Sequence, residues 1–322
     1  MVLGIDVSKL KLAVALLLAN EKYRTKTVTN NQAGFEALWS WLEQFGSLPE
    51  HVCLEATGPY GEDVATFLHD RGLVVSIVNP TRVKGYAKSE GLRTKTDKVD
   101  ARLIASFCES KKEKLQHWAP APVEHRALRD LTRRLEALKN MRIQEENRLE
   151  GKLSDLVVAN LTEHIQYLDK QIRQLEKAIK DHIDRNPGLR QQCDLLVTIP
   201  GIAETTSANL ISELCFDQFS TARQAAAYAG LTPSDWESGT SVKGRPRLSK
   251  IGSRRLRKAL YMPAIAAIRY NPILNEFAER LERKGKKGKV IISAVMRKMI
   301  HIAFGVLKSG RPFDPKYQPS FS

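Results

Sequence analysis

The order of apolar patterns predicts an α/β segment followed by an all-α one. Short apolar runs alternate with 3.6-period segments up to about residue 110. Two long heptad-like seams occupy the middle, and helical spacing runs almost to the end. Residues 2–6 and 12–18 are the first two apolar runs, and 23–29 places β-branched residues at alternate positions, which suits a third strand. Phe35, Leu38, Trp39 and Leu42 then share one helical face across 32–45. A short strand at 52–56 is broken by Thr57-Gly58-Pro59. Val64, Phe67 and Leu68 mark a helix, and a strand at 74–78 is stopped by Asn79-Pro80. Three antiparallel-looking strands followed by β–α–β units imply a mixed sheet flanked by helices. Residues 82–98 are polar and basic and read as a loop, or a short helix with a loop. Val99, Leu103, Ile104 and Phe107 place a helix over 97–110.

A linker, His117-Trp118-Ala119-Pro120-Ala121-Pro122, ends this part. Leu128, Leu131, Leu135 and Leu138, then Leu161, Ile165, Leu168, Ile172, Leu175 and Ile179, step by threes and fours, with slips near Gly151 and Ala159-Asn160. This predicts a long antiparallel helical hairpin, or a coiled coil available for dimerisation; the length of the seam and its charged flanks favour self-association. Asn186-Pro187-Gly188 closes the seam. A helical hairpin around Ile199-Pro200-Gly201-Ile202, a loop from Thr232 to about Leu248, and helices at 256–270 and 290–307 complete the chain. The expected divisions are 1–117, 118–187 and 188–322.

The charge is unevenly distributed. Of a net +15, residues 241–322 hold 20 Lys and Arg against 4 Asp and Glu, whereas residues 1–240 hold 31 against 32. A concentrated positive field attracts polyanions, because each neutralised phosphate releases counterions. Four scattered cysteines, Cys53, Cys108, Cys193 and Cys215, form no C-x-x-C pair, which argues against zinc ribbons, redox motifs and a disulfide framework. No run of about 18 apolar residues and no signal-peptide pattern occurs, so a soluble cytoplasmic protein with no membrane partner is expected.

Four carboxylates could carry chemistry. Asp6 ends the first strand, Glu55 ends the fourth, and Asp97 and Asp100 share a face of the later helix. If the strands are neighbours and the helix crosses their ends, the four could hold two hard divalent cations and polarise a phosphodiester. Individually each has an ordinary structural explanation, as a turn residue, a helix cap or a first-turn charge. The hairpin at 199–202 resembles a helix-hairpin-helix, which offers backbone N–H groups to phosphate, although Ala203 stands where a second glycine is common. Ser238, Ser241 and Ser249 lie on a glycine-bearing loop among cations. Such surroundings favour an alkoxide, but Ser-Gly is also a common turn.

Taken together, Gly4-Ile5-Asp6-Val7-Ser8-Lys9, Leu54–Tyr60, the T-D-K-V-D-A-R-L-I-A run over 96–105, Ile199–Ile202 and the segment 227–261 resemble the DEDD transposases of insertion sequence family 110, which act as bridge-RNA-guided recombinases. That resemblance implies a RuvC-like, ribonuclease-H-type N-terminal domain whose Mg²⁺ (or Mn²⁺) ligands are Asp6, Glu55, Asp97 and Asp100. It further implies a coiled coil and a C-terminal domain with a nucleophilic serine. The serine maps first onto Ser238 and second onto Ser241. The implied partners are donor DNA, target DNA and a guide RNA, handled by a dimer that assembles to a tetramer and joins DNA through a phosphoserine. Arg245, Arg247, Lys250, Arg254 and Arg257 are expected to contact phosphate. The first alternative is a Mg²⁺-dependent, structure-specific junction nuclease with water as nucleophile, which would survive Ser238→Ala. An architectural nucleic-acid binder would be indifferent to Asp6→Ala. An actin-like sugar kinase, suggested by the opening motif, is opposed by the basic C-terminus and the absence of a phosphate-loop motif.

Overall fold

The computed structural model describes residues 1–56, 58–91, 97–234, 237–238, 242–243 and 247–316, with backbone alone at 59, 97–98, 237–238 and 242–243. The chain divides into two compact units, Met1–Pro120 and Ala121–Ser322.

The first unit is a mixed sheet between two helical layers. β1 (Val2–Val7), β2 (Lys11–Leu17) and β3 (Tyr23–Thr29) run antiparallel, and β4 (His51–Glu55) and β5 (Val74–Val78) add in parallel beyond β1. The strand order is β3-β2-β1-β4-β5. Because side chains alternate along a strand, Leu3, Ile5, Val7 and Leu54 pack towards α1 (Gln32–Glu43) and α2 (Glu62–Asp70), joining Phe35, Leu38, Phe67 and Leu68. Val2, Ala13, Ala15 and Cys53 face α3 (Pro80–Ser89) and α4 (Asp97–Lys111), where Val83, Ala101, Ile104 and Ala105 complete a second core. Asn79 caps α3 by accepting from the Thr81 N–H, with Pro80 at the first helical position, so the pair that stops β5 also starts a helix. The basic stretch expected to be loop or short helix is thus helical through Ser89. This is the mixed sheet with flanking helices expected for the N-terminal part.

Helix α4 lies directly on β1. A Cβ built on Gly4 would stand 2.3 Å from the Ala105 nitrogen and 2.4 Å from the Ala101 carbonyl oxygen, so only glycine permits this approach. The direction of α4 follows from its far end. Lys112 pairs with Glu50, which also takes the Met1 ammonium, each at 3.4 Å. The C-terminal end of α4 therefore sits where β1 and β4 begin, and its N-terminal end sits where they finish.

The second unit is largely helical. α5 (Val123–Leu149) and α6 (Asp155–Arg185) form an antiparallel hairpin, fastened by Lys139–Glu176 (2.7 Å), Arg142–Asp169 (3.2 Å) and Glu145–His164 (3.3 Å). The slip near Gly151 is the turn of this hairpin, whereas Ala159-Asn160 lies within α6. Leu168, Ile172 and Ile179 are buried within the chain itself, while Leu156, Val157 and Val158 near the turn are exposed. Then follow α7 (Pro187–Val197), α8 (Glu204–Glu213), α9 (Ala222–Tyr228), the short strands β6 (Pro233–Ser234), β7 (Glu237–Ser238), β8 (Val242–Lys243) and β9 (Arg247–Leu248), then α10 (Arg254–Tyr270), α11 (Pro272–Arg283) and α12 (Gly288–Ser309). One apolar core links the hairpin to α7–α12. Thr132 Oγ1 meets Ser212 Oγ at 3.1 Å and Arg133 clamps Glu213, which ties α5 to α8. α12 is long and apolar enough by length and mean hydropathy to cross a membrane. It carries Arg297 and Lys298 mid-length and buries Ile291, Val295, Met299, Ile300 and Ala303 in the core of this unit.

Candidate active site: carboxylates at the sheet end and a serine hairpin

The parallel register pairs Ile5 with Leu54, so the next residues, Asp6 and Glu55, are neighbours at the C-terminal ends of adjacent strands. Both are half-buried and both lie on the α4 side, in step with Gly4 and Cys53. Asp97 opens α4, one turn before the buried Ala101. Half-buried Asp100 stands one turn before the buried Ile104. Since α4 begins over the finishing ends of β1 and β4, the fold brings all four positions to one end of the sheet. Among the described residues, no set of three or more His, Cys, Asp or Glu stands close enough to hold a metal ion. The side chain of Asp97 lies outside them. The donors are nevertheless of one kind, carboxylate oxygens, which suits a hard divalent cation. The soft groups nearby are withdrawn from this end. Cys53 lies in the core below Glu55, its thiol pushed far up by a hydrogen bond with Cys108 and by burial.

The segment expected as a loop from Thr232 to Leu248 is a narrow ribbon. Pro233 pairs with Leu248 and Ser234 with Arg247; further out, Glu237 pairs with Lys243 and Ser238 with Val242. Two-residue strands without apolar alternation carry no period-2 signal, which is why the sequence reads as loop. Ser238 is thus the outermost paired position among the described residues. Ser241 and Arg245 lie outside the described residues. The base of the ribbon is anchored: the Ser249 N–H donates to the Thr232 carbonyl (2.9 Å) and the Ser253 N–H to the Tyr228 carbonyl (2.8 Å). Ser249 is half-buried at that anchored base, away from the tip.

The cations differ in circumstance. Arg247, Lys250 and Arg254 are exposed. Arg254 stands in the first turn of α10, which holds no acidic residue. A cation there opposes the helix dipole, so stability does not account for it. Arg257 instead donates to the carbonyls of Ala229, Gly252 and Ser253 at 3.0–3.2 Å, and burial and Arg254 lower its pKa. It holds the base of the ribbon, so any phosphate contact is shared with that duty. Arg255 and Lys258 both pair with Glu136 on α5. In the α7–α8 hairpin, Gly201 (φ +101°) packs against Ala267 of α10. Ala203 caps α8 with extended backbone that needs no glycine, and Glu204 occupies its first turn. The sequence reading missed the basic face of α12, where Lys289, Arg297, Lys298 and His301 line one cleft.

A family profile described as a transposase of the DEDD, IS110 kind matches residues 3–158, and one described as transposase IS116/IS110/IS902 family matches residues 193–279. Similar proteins include pilin gene-inverting proteins of Moraxella bovis and Moraxella lacunata, 37% and 36% identical over 319 residues, with 98% of this chain and 98% of each relative covered. A transposase for insertion sequence element IS1328 of Yersinia enterocolitica is 23% identical over 287 residues, covering 78% of this chain and 82% of the relative. Among solved structures, Thermus thermophilus RuvC aligns with a TM-score of 0.27 and 18% identity over 36% of this chain and 99% of that one. With both profiles matched in order and relatives of this similarity along the whole length, the chain belongs to the IS110 family of transposases, enzymes that cut and rejoin DNA.

Proposed function

We propose that this transposase is an RNA-guided DNA recombinase that exchanges strands through a phosphoserine at Ser238. The observation that carries the reading is the juxtaposition of Asp6 and Glu55 on adjacent parallel strands under the start of α4, in a chain that also presents Ser238 near the tip of a basic ribbon. Asp6, Glu55, Asp97 and Asp100 would hold Mg²⁺ or Mn²⁺, which supplies charge neutralisation at a scissile phosphate when bound. The Ser238 hydroxyl gives up its proton and its oxygen attacks phosphorus. The phosphorus–oxygen bond to the leaving sugar breaks, and the freed sugar hydroxyl takes up a proton. A sugar hydroxyl of the partner strand then attacks the phosphoserine and restores the serine, so no nucleotide hydrolysis is needed. Arg247, Lys250 and Arg254, with Arg245, contact phosphate and position the strand, while Arg257 steadies the base of the ribbon through the carbonyls of Ala229, Gly252 and Ser253. Sequence choice is delegated to a guide RNA that pairs with donor and target DNA.

Residues 1–117 act as the carboxylate domain, 118–187 as the assembly segment and 188–322 as the serine domain, working in the bacterial or archaeal cytoplasm on the nucleoid without a membrane partner. The seam of α6 is largely used within the chain, so pairing into dimers and tetramers falls to the exposed apolar end of the hairpin around Leu156. A second reading, inversion of a DNA segment between paired sites, is favoured by the Moraxella relatives and uses the same chemistry. The test is to purify the protein from cells carrying its native flanking DNA and sequence the nucleic acid that co-elutes. A discrete RNA whose digestion stops recombination supports RNA guidance. Recombination that survives RNase supports the inverting reading. Metal-dependent cleavage that Ser238→Ala leaves intact supports the junction nuclease.

A further inference from the structure

One side of α12 and the base of the serine ribbon enclose a cleft of about 810 Å³, within the range of small-ligand sites. Its floor is apolar: Leu231, Leu248, Phe277, Val290 and Ala294. Around it stand Arg247, Lys250, Lys289, Arg297 and Lys298, and among the described residues no acidic one lines it. Among the described residues none of these five cations makes an ion pair or a side-chain hydrogen bond. His301 also lines it, and its Nε2 is buried without a hydrogen-bond partner among the described residues. Burial, Arg297, Lys298 and Arg223 lower its pKa, so the ring stays neutral near pH 7, with a nitrogen to offer a polar edge.

A surface that only follows a duplex backbone needs cations but no apolar floor. An apolar floor that includes the Phe277 ring, a buried polar atom without a partner among the described residues and a rim of unpaired cations together fit a nucleobase with its flanking phosphates. We propose that this cleft receives one unpaired, extrahelical DNA nucleotide close to the phosphate that Ser238 attacks. The placement near the serine follows from chain reach. Pro233 lines the cleft, and the five residues from it to Ser238 span at most about 18 Å even fully extended. That is about five stacked base steps. The proposal rests on the reading that the serine ribbon works on DNA. It adds that the enzyme holds a base out of the stack beside the cut, with Phe277 as the stacking platform and His301 as the polar contact.

The test uses the full-length protein and two DNA duplexes of one sequence, one fully paired and one with a single bulged 5-iododeoxyuridine, plus an RNA duplex with the same bulge. The expected result is at least tenfold tighter binding of the bulged DNA than of the paired DNA. Photo-crosslinking from the bulge should map to the peptides containing Phe277 or His301. Phe277→Ala, and independently Ala294→Leu, which fills the cleft, should erase the preference while leaving paired-duplex affinity within twofold. Circular dichroism identifies any variant that fails to fold, and the crosslink in the unaltered protein decides the matter in that event. No preference in the unaltered protein, or equal losses on both DNA duplexes, overturns the proposal while leaving DNA binding intact. Stronger capture of the RNA bulge overturns the assignment to DNA. Failure to bind any duplex overturns the DNA-binding reading itself.

Discussion

Ser76 fixes the tautomer of a buried histidine. Its hydroxyl donates its single proton to the Gln116 carbonyl (2.7 Å), so it must accept from His51 Nε2, 2.8 Å away. His51 therefore carries a proton on Nε2 as donor, and burial, His117 and Lys112 all lower its pKa from the ordinary value of about 6.5, which favours the neutral ring. A histidine whose folded pKa is depressed binds protons more readily in the unfolded chain. Stability is thus complete above the unfolded pKa and declines as pH falls from about 6.5 through the lowered folded value. The thermal midpoint should fall between pH 7 and 5, and His51→Gln should flatten that decline. An equal decline in the variant would show that other groups cause it. Ser238 and Asp6 separate covalent from hydrolytic chemistry. With Ser238→Ala, a denaturing gel should show no protein–DNA adduct. With Asp6→Asn, cleavage should fall on the order of a thousandfold, the equivalent of several kcal/mol of lost charge stabilisation. An adduct that persists in Ser238→Ala but vanishes in Ser241→Ala would move the nucleophile to Ser241.

Among the elements, α4 decides whether the carboxylates can meet. Its contact with β1 is backbone on backbone at Gly4, so Gly4→Ala must either push α4 off the sheet or strain both. Overpacking of this sort costs about 1–3 kcal/mol. The same shift should impair divalent-cation binding, read by thermal stabilisation with Mn²⁺, more than it impairs folding. The five strands of the sheet were legible from local pattern, because apolar runs and breakers such as Asn79-Pro80 act within a few residues. That Asp6 and Glu55 would be neighbours, and that α4 would run back across the sheet, was not legible, since β1–β4 pairing joins residues about fifty apart and leaves no periodic trace. The hairpin of α5 and α6 was legible as a seam, but not in how it is used. Leu168→Ala should cost about 2–4 kcal/mol, because the side chain is buried within the chain. Leu156→Ala, at 81% exposure, should leave stability unchanged and lower the mass measured by light scattering if the hairpin end joins copies. An unchanged mass would place the assembly surface elsewhere.

Over the whole molecule, charge does what no single contact can. An almost neutral first three-quarters and a strongly basic last quarter mean that DNA approaches the serine-bearing unit first. The asymmetry was visible in the sequence, yet which cations remain available was not. Side-chain pairing in the fold settles that, and it ties Arg255 and Lys258 to Glu136 and turns Arg257 towards three carbonyls. Arg247, Lys250 and Arg254 remain exposed, so they should carry the counterion release. Each phosphate contact contributes about 0.9 to the slope of log affinity against log salt on duplex DNA. Replacing all three by alanine should therefore flatten the slope by about 2.7 and weaken binding far more at 50 mM than at 200 mM salt. Arg257→Ala should behave differently, lowering the thermal midpoint and changing the slope by less than one, because its guanidinium serves the ribbon. Titrations by fluorescence anisotropy across that salt range distinguish the two. A triple variant with an unchanged slope would remove these residues from the DNA interface, and a stable Arg257→Ala protein with a slope reduced by one would make that residue a phosphate contact after all.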